Sequence, residues 1–311
     1  MLSTITGEII GESPAAKGIH EFVKAAARSS APVLLLGESG TGKEQAARAM
    51  HFQSARRNSP FLMVDCSLYY ERELERELFG YEPAPGEPPE SARKGLLLFA
   101  PRGSCYAANV EELSPSIQMR LLNFLDTGYI QPVGSSRPVA SKVRLIFSSE
   151  KNLEGLSSGG LFLEDLYRRF AAATALLPPL RERTEDLPAL VSHFSHRIAA
   201  ERGLSGPSLE WSAEAIDALR SYPWPGNVEE LKREIERVVR VGPRSVTPDA
   251  LSSSILGHWM GRRADPEVAA VVRELEECIR EFRVMCRLDA QYGDILLDVE
   301  DWDVLFKSHQ R

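Results

Sequence analysis

An α/β domain built on a parallel sheet, followed by a small all-helical domain, is the fold the sequence predicts. Three observations predict it. Short apolar runs alternate with helical stretches over the first 180 residues. A glycine-rich loop joins one of those runs directly to a helix. After Pro178-Pro179 the strand pattern stops and helical periodicity alone continues.

The elements follow in order. Residues 8–30 read as one amphipathic helix, entered through Gly11-Glu12-Ser13-Pro14. Val33-Leu34-Leu35-Leu36 is a continuous apolar run between turn signals, the mark of a strand buried on both faces. Residues 43–54 form a helix. Phe61-Leu62-Met63-Val64 gives a second strand, Leu96–Ala108 leads into a third, Lys142–Ser149 is a fourth and Ala172–Leu177 a fifth. From Arg181 onward helices are expected over 185–202, 212–221, 226–240 and 247–256, with the turn residues 222–227 (YPWPGN) before the third. The expected division is an αβα domain over 1–180, a helical domain over 181–258 and a helical acidic tail over 259–311. In that tail Val268, Val272, Leu275, Ile279, Phe282 and Cys286 follow a 4-3-4-3-4 spacing, a short seam resembling a coiled coil. Such a seam serves self-association or docking on its own chain. Residues 294–306 mix acids with large apolar side chains, as a capping element or a peptide offered to a partner would.

Composition narrows the function classes. Of 311 residues, 43% are hydrophobic and 26% charged, an ordinary globular balance. The net charge of −7 argues against a surface coated for nucleic acid. From Asp265 to the end, twelve acidic residues stand against six basic ones, so the excess sits in the tail. That acidity, without a helix-turn-helix pattern in 259–311, makes direct DNA binding unexpected. No run approaches the ~20 apolar residues that span a bilayer, and the N-terminus lacks a signal-peptide pattern. Four scattered cysteines (Cys66, Cys105, Cys278, Cys286) point to reduced thiols and a cytoplasmic setting. His193 and His196 share a helix face without a third ligand and read as surface or packing residues.

Gly37, Glu38, Ser39, Gly40, Thr41, Gly42, Lys43 and Glu44 follow the first strand and open a helix. Glycines let successive backbone N–H groups turn inward around phosphate oxygens. The helix N-terminus adds partial positive charge and Lys43 a full one. This is the strand–loop–helix setting of a Walker A phosphate cradle, with Glu44 where Ser or Thr is common.

With GESGTGKE stand RAMH (48–51), RRNSPF (56–61), ELFGYE (77–82), PPLRER (178–183) and WPGNV (224–228). From about residue 8 to residue 256 the chain resembles the AAA+ domain of bacterial sigma-54-dependent transcription activators. The resemblance implies a P-loop NTPase αβα fold, a helical lid, ATP or ADP held between them, and ring assembly with hydrolysis to remodel a promoter complex. The terminal Glu44 matches that family. Other positions depart from it. The Walker B acids fall on Ala108 and Asn109, which neither support Mg²⁺ nor accept a proton from water. The asparagine after the second strand is Asp65, and the γ-phosphate sensor is Glu150. The lid arginine is Glu229, and of two arginines reaching a neighbour's nucleotide one is Leu163 and the other is kept as Arg169. Glu111 and Glu112 lie on the following turn, displaced from the catalytic position. The GAFTGA loop that touches sigma factor is replaced by Ala84-Pro85-Gly86-Glu87-Pro88-Pro89. At about 4 Å and an effective dielectric near 20, each misplaced carboxylate facing phosphate costs roughly several kcal/mol.

The expectation is a pseudo-ATPase: nucleotide held, hydrolysis and Mg²⁺ binding lost, output through protein contacts. It joins or blocks rings of an active AAA+ relative, assembles with itself, or engages another regulatory protein through its tail. The alternatives are an active AAA+ ATPase of sigma-54-dependent transcription that uses Glu111, Glu112 or a partner's residues, and a repressor that sequesters an activator.

Overall fold

The computed structural model describes residues 9–84, 86, 88, 92–203, 209–242 and 245–263. The chain divides into two units, 1–251 and 252–311. The first unit opens with helix α1 (Pro14–Ala27), shorter than the 8–30 span expected. Ser13 sets its start: the Ser13 hydroxyl accepts the Ala16 N–H, and Pro14 follows at the position where a missing N–H costs nothing. Next come β1 (Val33–Leu36), α2 (Lys43–Phe52), β2 (Phe61–Asp65), α3 (Glu71–Phe79) and α4 (Leu96–Phe99). Strand β3 (Ser104–Ala108) leads to α5 (Pro115–Thr127), the hairpin β4 (Tyr129–Ile130) and β5 (Val139–Ala140), then β6 (Arg144–Ser149). Helices α6 (Leu153–Ser158) and α7 (Glu164–Ala171) precede β7 (Thr174–Leu176).

Five strands form one parallel sheet in the order β2-β3-β6-β1-β7. Alternation along each strand divides the core into two layers. Val33 and Leu35 of β1, Tyr106 of β3 and Ile146 of β6 pack with α1 and α2. Leu34, Cys105, Ala107, Leu145 and Phe147 pack on the opposite face with α3, α5 and α7. All six residues of β6 are buried, as the central strand requires. Arg144 at its start is buried too, and Nη2 donates to the Ala26 carbonyl (2.7 Å), closing the C-terminal end of α1. Burial lowers its pKa to about 10. Burial likewise pushes the Cys105 thiol up to about 12 and raises that of Cys66.

The helical part of the first unit contains α8 (Leu187–Glu201), α9 (Ala213–Ser221) and α10 (Asn227–Val241). A two-residue parallel pairing of β8 (Glu210–Trp211) with β9 (Ser245–Val246) closes it. The expected helix over 247–256 is replaced. Pro248–Ala250 make one 3₁₀ turn, Leu251 is extended, and in the second unit α11 covers Ser253–Arg263. Pro248 starts a turn readily but donates no N–H to prolong one. The coiled-coil-like seam, the acidic segment 294–306, Cys278 and Cys286 lie outside the described residues, as do Pro85, Glu87 and Pro89.

Asp186 joins the start of α1 to the helical part. Its Oδ1 accepts the N–H groups of Glu12 and Ser13 (both 2.8 Å), and Oδ2 accepts the Ser13 hydroxyl (2.8 Å). Gly11 passes so close that a Cβ there would lie 2.6 Å from the Asp186 carboxyl carbon, and its φ is +146°. Asp186 is fully buried. Asp186→Ala is expected to destabilise the fold by about 3 kcal/mol, since it strands buried donors. Asp186→Asn, which keeps one oxygen acceptor, costs less. Urea unfolding of the two variants against the parent checks the order.

Candidate functional site

Between β1 and α2 the chain turns through Gly37–Gly42, with φ of 149° at Gly37, 72° at Gly40 and 101° at Gly42. Only glycine fits the first two: a Cβ would lie 2.6 Å from the Leu177 carbonyl oxygen at Gly37 and 2.3 Å from that of Gly226 at Gly40. At Gly42 nothing stands where a side chain would be, so bare backbone faces the cleft. The first turn of α2 adds N–H groups without intrahelical acceptors and the positive end of the helix dipole. Lys43 is buried at this turn. Its Nζ donates to the carbonyls of Gly37 (2.7 Å) and Glu38 (2.8 Å). Burial lowers the Lys43 pKa, and Glu150, whose Oε1 lies 3.5 Å from Nζ, works against that shift.

A cleft of ≈ 620 Å³ opens beside the loop. Ser39, Gly40, Gly42, Lys43 and Glu44 form one wall. Asp65, Ala108, Asn109 and Glu150 come from the strand ends, where Asp65 pairs in register with Ala108. Glu229 and Lys232 reach in from α10. A smaller pocket of ≈ 70 Å³, with Ile9, Ile10, Leu177, Leu190, Phe194 and Val228 among its walls, adjoins it and is largely apolar.

The tip of β3 carries no carboxylate. Asn109 takes a left-handed backbone (φ 56°), which asparagine tolerates better than most residues. Its Nδ2 donates to Asp65 Oδ1 (2.8 Å), which also accepts from the Ser67 hydroxyl (2.7 Å) and the Ser67 N–H (3.0 Å). Burial would raise the Asp65 pKa, but the hydrogen bonds from Ser67 and Asn109 outweigh it and the net shift is downward. Glu111 and Glu112 sit on the 3₁₀ turn after β3 and do not line the cleft. Glu112 pairs with Lys151 (2.7 Å). Glu111 Oε1 accepts the Glu150 N–H (2.9 Å), close enough to the cradle for its charge to act on Lys43. Leu163 and Arg169 stand apart from this constellation. The Leu163 N–H donates to Gln118, and Arg169 is ion-paired with Asp126.

Sequence reasoning missed the contacts that fasten the loop to the helical part. The Val228 N–H donates to Gly40 O (2.9 Å), and Arg183 Nη2 to Thr41 O (2.7 Å). Asn227, fully buried with φ 52°, donates Nδ2 to Ser39 O (2.8 Å), while its Oδ1 accepts the Leu180 N–H (2.8 Å). Arg181 grips Glu38 with two hydrogen bonds of 2.8 and 2.6 Å. That bond, with a further one from Asn227, holds the Glu38 pKa down at about 2. Also missed was the Tyr106–Ser148 hydroxyl pair (2.7 Å) beneath the cleft floor.

Residues 9–175, more than half of the chain, match the family model of the sigma-54 interaction domain. The chain belongs to that family. Residues 181–264 of this sigma-54 interaction-domain protein match the AAA+ ATPase lid domain. It is 42% identical over 229 residues to the Nif-specific regulatory protein of Bradyrhizobium diazoefficiens, covering 74% of this chain and 39% of the relative. It is 37% identical over 233 residues to the transcriptional regulatory protein ZraR of Klebsiella oxytoca, covering 74% and 52%. The matched region thus spans two fifths to half of these relatives. Among solved structures, NtrX from Brucella abortus in complex with ADP aligns with TM-score 0.73 and 31% identity over 80% of this chain and 55% of that one. The same protein in complex with ATP aligns with TM-score 0.73 and 32% identity over the same shares. The αβα sheet and helical lid of the present chain are those of a P-loop AAA+ domain.

The Glu38–Arg181 bond gives a titration to test. With its folded pKa depressed, Glu38 contributes stability above its ordinary value near 4.5, lost as pH falls toward about 2. Both side chains are over two fifths exposed, so solvent screening keeps the contribution small. Arg181→Ala is expected to return Glu38 toward its ordinary value, read by side-chain carboxyl NMR titration.

Proposed function

We propose that this chain is a nucleotide-binding, non-hydrolysing member of the sigma-54 activator family that works in transcription regulation through protein contacts. The observation that carries the reading is the pairing of a formed phosphate cradle with a β3 tip that offers only Ala108 and Asn109. The glycines, the α2 N-terminus and Lys43 fit the phosphates, and Ile9, Ile10 and Leu177 beside the loop offer apolar walls of the kind a base packs against. NtrX, solved with ADP and with ATP, supports nucleotide in this cleft.

Magnesium fits poorly. Ala108 has no side-chain donor atom, Asn109 offers a neutral amide oxygen in place of a carboxylate while its nitrogen is held on Asp65, and Glu44 is paired with Arg48 at 2.7 Å. Asp65 is the remaining acid near the β3 tip, yet one of its oxygens already accepts three hydrogen bonds. A carboxylate with a depressed pKa is a weak base toward water. The chain therefore keeps the nucleotide as a structural ligand. In this reading its partners are an active AAA+ relative in a mixed or blocked ring, further copies of itself, or another regulatory protein bound through the acidic C-terminal residues.

One observation favours a second reading. Glu111 Oε2 is buried without a hydrogen-bond partner, so an acid remains near Glu150 that would serve an active ATPase after a shift of the turn.

Phosphate release from ATP, with nucleotide binding measured alongside by calorimetry, tests both. Binding without turnover is expected. Lys43→Ala is expected to weaken binding ~10- to 100-fold, because it removes the charge-assisted hydrogen bonds, worth about 1.5–3 kcal/mol, that hold the Gly37 and Glu38 carbonyls in the curled loop. Turnover matching an active family member overturns the first reading, and its loss in Glu111→Ala establishes the second.

A further inference from the structure

The cations lining the cleft are already matched by acids of the same chain. Arg48 pairs with Glu44 (2.7 Å), Lys232 with Glu229 (3.4 Å), Arg197 with Glu201 (3.0 Å) and Lys43 with Glu150 (3.5 Å). The last pair decides most. The lysine of a P-loop serves the outer phosphates of a nucleotide, while the backbone N–H groups of the loop and helix start cradle the inner ones. Glu150 follows directly on β6, the strand beside β1, and its side chain is 40% exposed at the cleft. Glu111 holds the Glu150 N–H at 2.9 Å and so fixes the backbone from which the carboxylate projects. Lys43 meets two carbonyls and this carboxylate, a shell of oxygens on the ammonium that a terminal phosphate needs.

We propose that the cleft selects a nucleoside diphosphate over the triphosphate, with Glu150 as the discriminating residue. A diphosphate uses the backbone donors of Gly40–Glu44 and leaves the Lys43–Glu150 pair in place. A third phosphate has to part that pair or stand beside the carboxylate as a like charge. Of the acids lining the cleft, Glu44, Glu150 and Glu229 are ion-paired and Asp65 has its Oδ1 committed to Ser67 and Asn109, a poor set for a divalent cation that would offset the repulsion. The inference rests on the nucleotide-binding reading above and concerns which nucleotide is held.

Calorimetric titration of the full chain with ADP and with ATP, in excess Mg²⁺ and in chelator, tests it. The parent protein is expected to bind ADP at least ~10-fold more tightly than ATP, the scale of a like-charge contact at partial exposure. Glu150→Gln is expected to bring the ratio of the two dissociation constants close to one, mainly through tighter ATP binding. Equal affinities in the parent protein, or an unchanged ratio in Glu150→Gln, overturn the inference. If the parent binds neither nucleotide, the nucleotide-binding reading fails. ATP binding gained by Glu150→Gln then still supports Glu150 as the excluding group, and no gain overturns both. Glu150→Asn, with thermal melting as a check on folding, is expected to shift the ratio in the same direction, and a folded variant that does not do so counts against the inference.

Discussion

A single buried ammonium organises the strand ends. Lys43 sits in a place where an unpaired charge would be costly, and it is tolerated because oxygens surround it. Two of those oxygens are the Gly37 and Glu38 carbonyls, so the loop must curl back over the lysine that follows it. That curl needs the positive φ of Gly37, Gly40 and Gly42. The third partner is Glu150, which ties the loop to the neighbouring strand. Loop shape, strand order and charge balance therefore depend on one another at this point. The same ammonium is the group a phosphate would seek, which makes its present partners part of the function.

Around it, two further arrangements shape the cleft. At the ends of β2 and β3 acid and amide sit as Asp65 and Asn109, and the amide nitrogen donates to the carboxylate across adjacent strands. This hydrogen-bonded amide and carboxylate form part of the cleft floor. On the other side, α10 contacts the loop through backbone atoms and a buried asparagine. Helical lid and cradle are thus joined directly by protein hydrogen bonds.

Much of this was legible in the sequence where the determinants are local. The sheet strands announce themselves as apolar runs, and the cradle is eight consecutive residues. Other parts depend on distant contacts. Leu96–Phe99 looks like a strand run but is a single helical turn, an ambiguity short apolar runs always carry. Helix α3 (ERELERELF) buries only Leu74, Leu78 and Phe79, too sparse a stripe to stand out among its charges. Chemical identity at Ala108, Asn109 and Glu150 could be read by position alone. The contact of Glu150 with Lys43 and the hub at Asn227 could not, because sheet order and lid placement bring those residues together. The swap at Asp65 was visible as a substitution, but its pairing with Asn109 needed the register of β2 and β3.

The two thiols of the sheet layer carry a consequence of their own. Cys66 and Cys105 are both buried and both held in the protonated form by that burial. A protonated, enclosed sulfur is a poor nucleophile, so oxidants and electrophiles meet almost no reactive form while β2 and β3 stay packed. Their modification is then governed by how often that layer opens, and the protein carries, in two ordinary core side chains, a clock for the breathing of the sheet beneath its cleft.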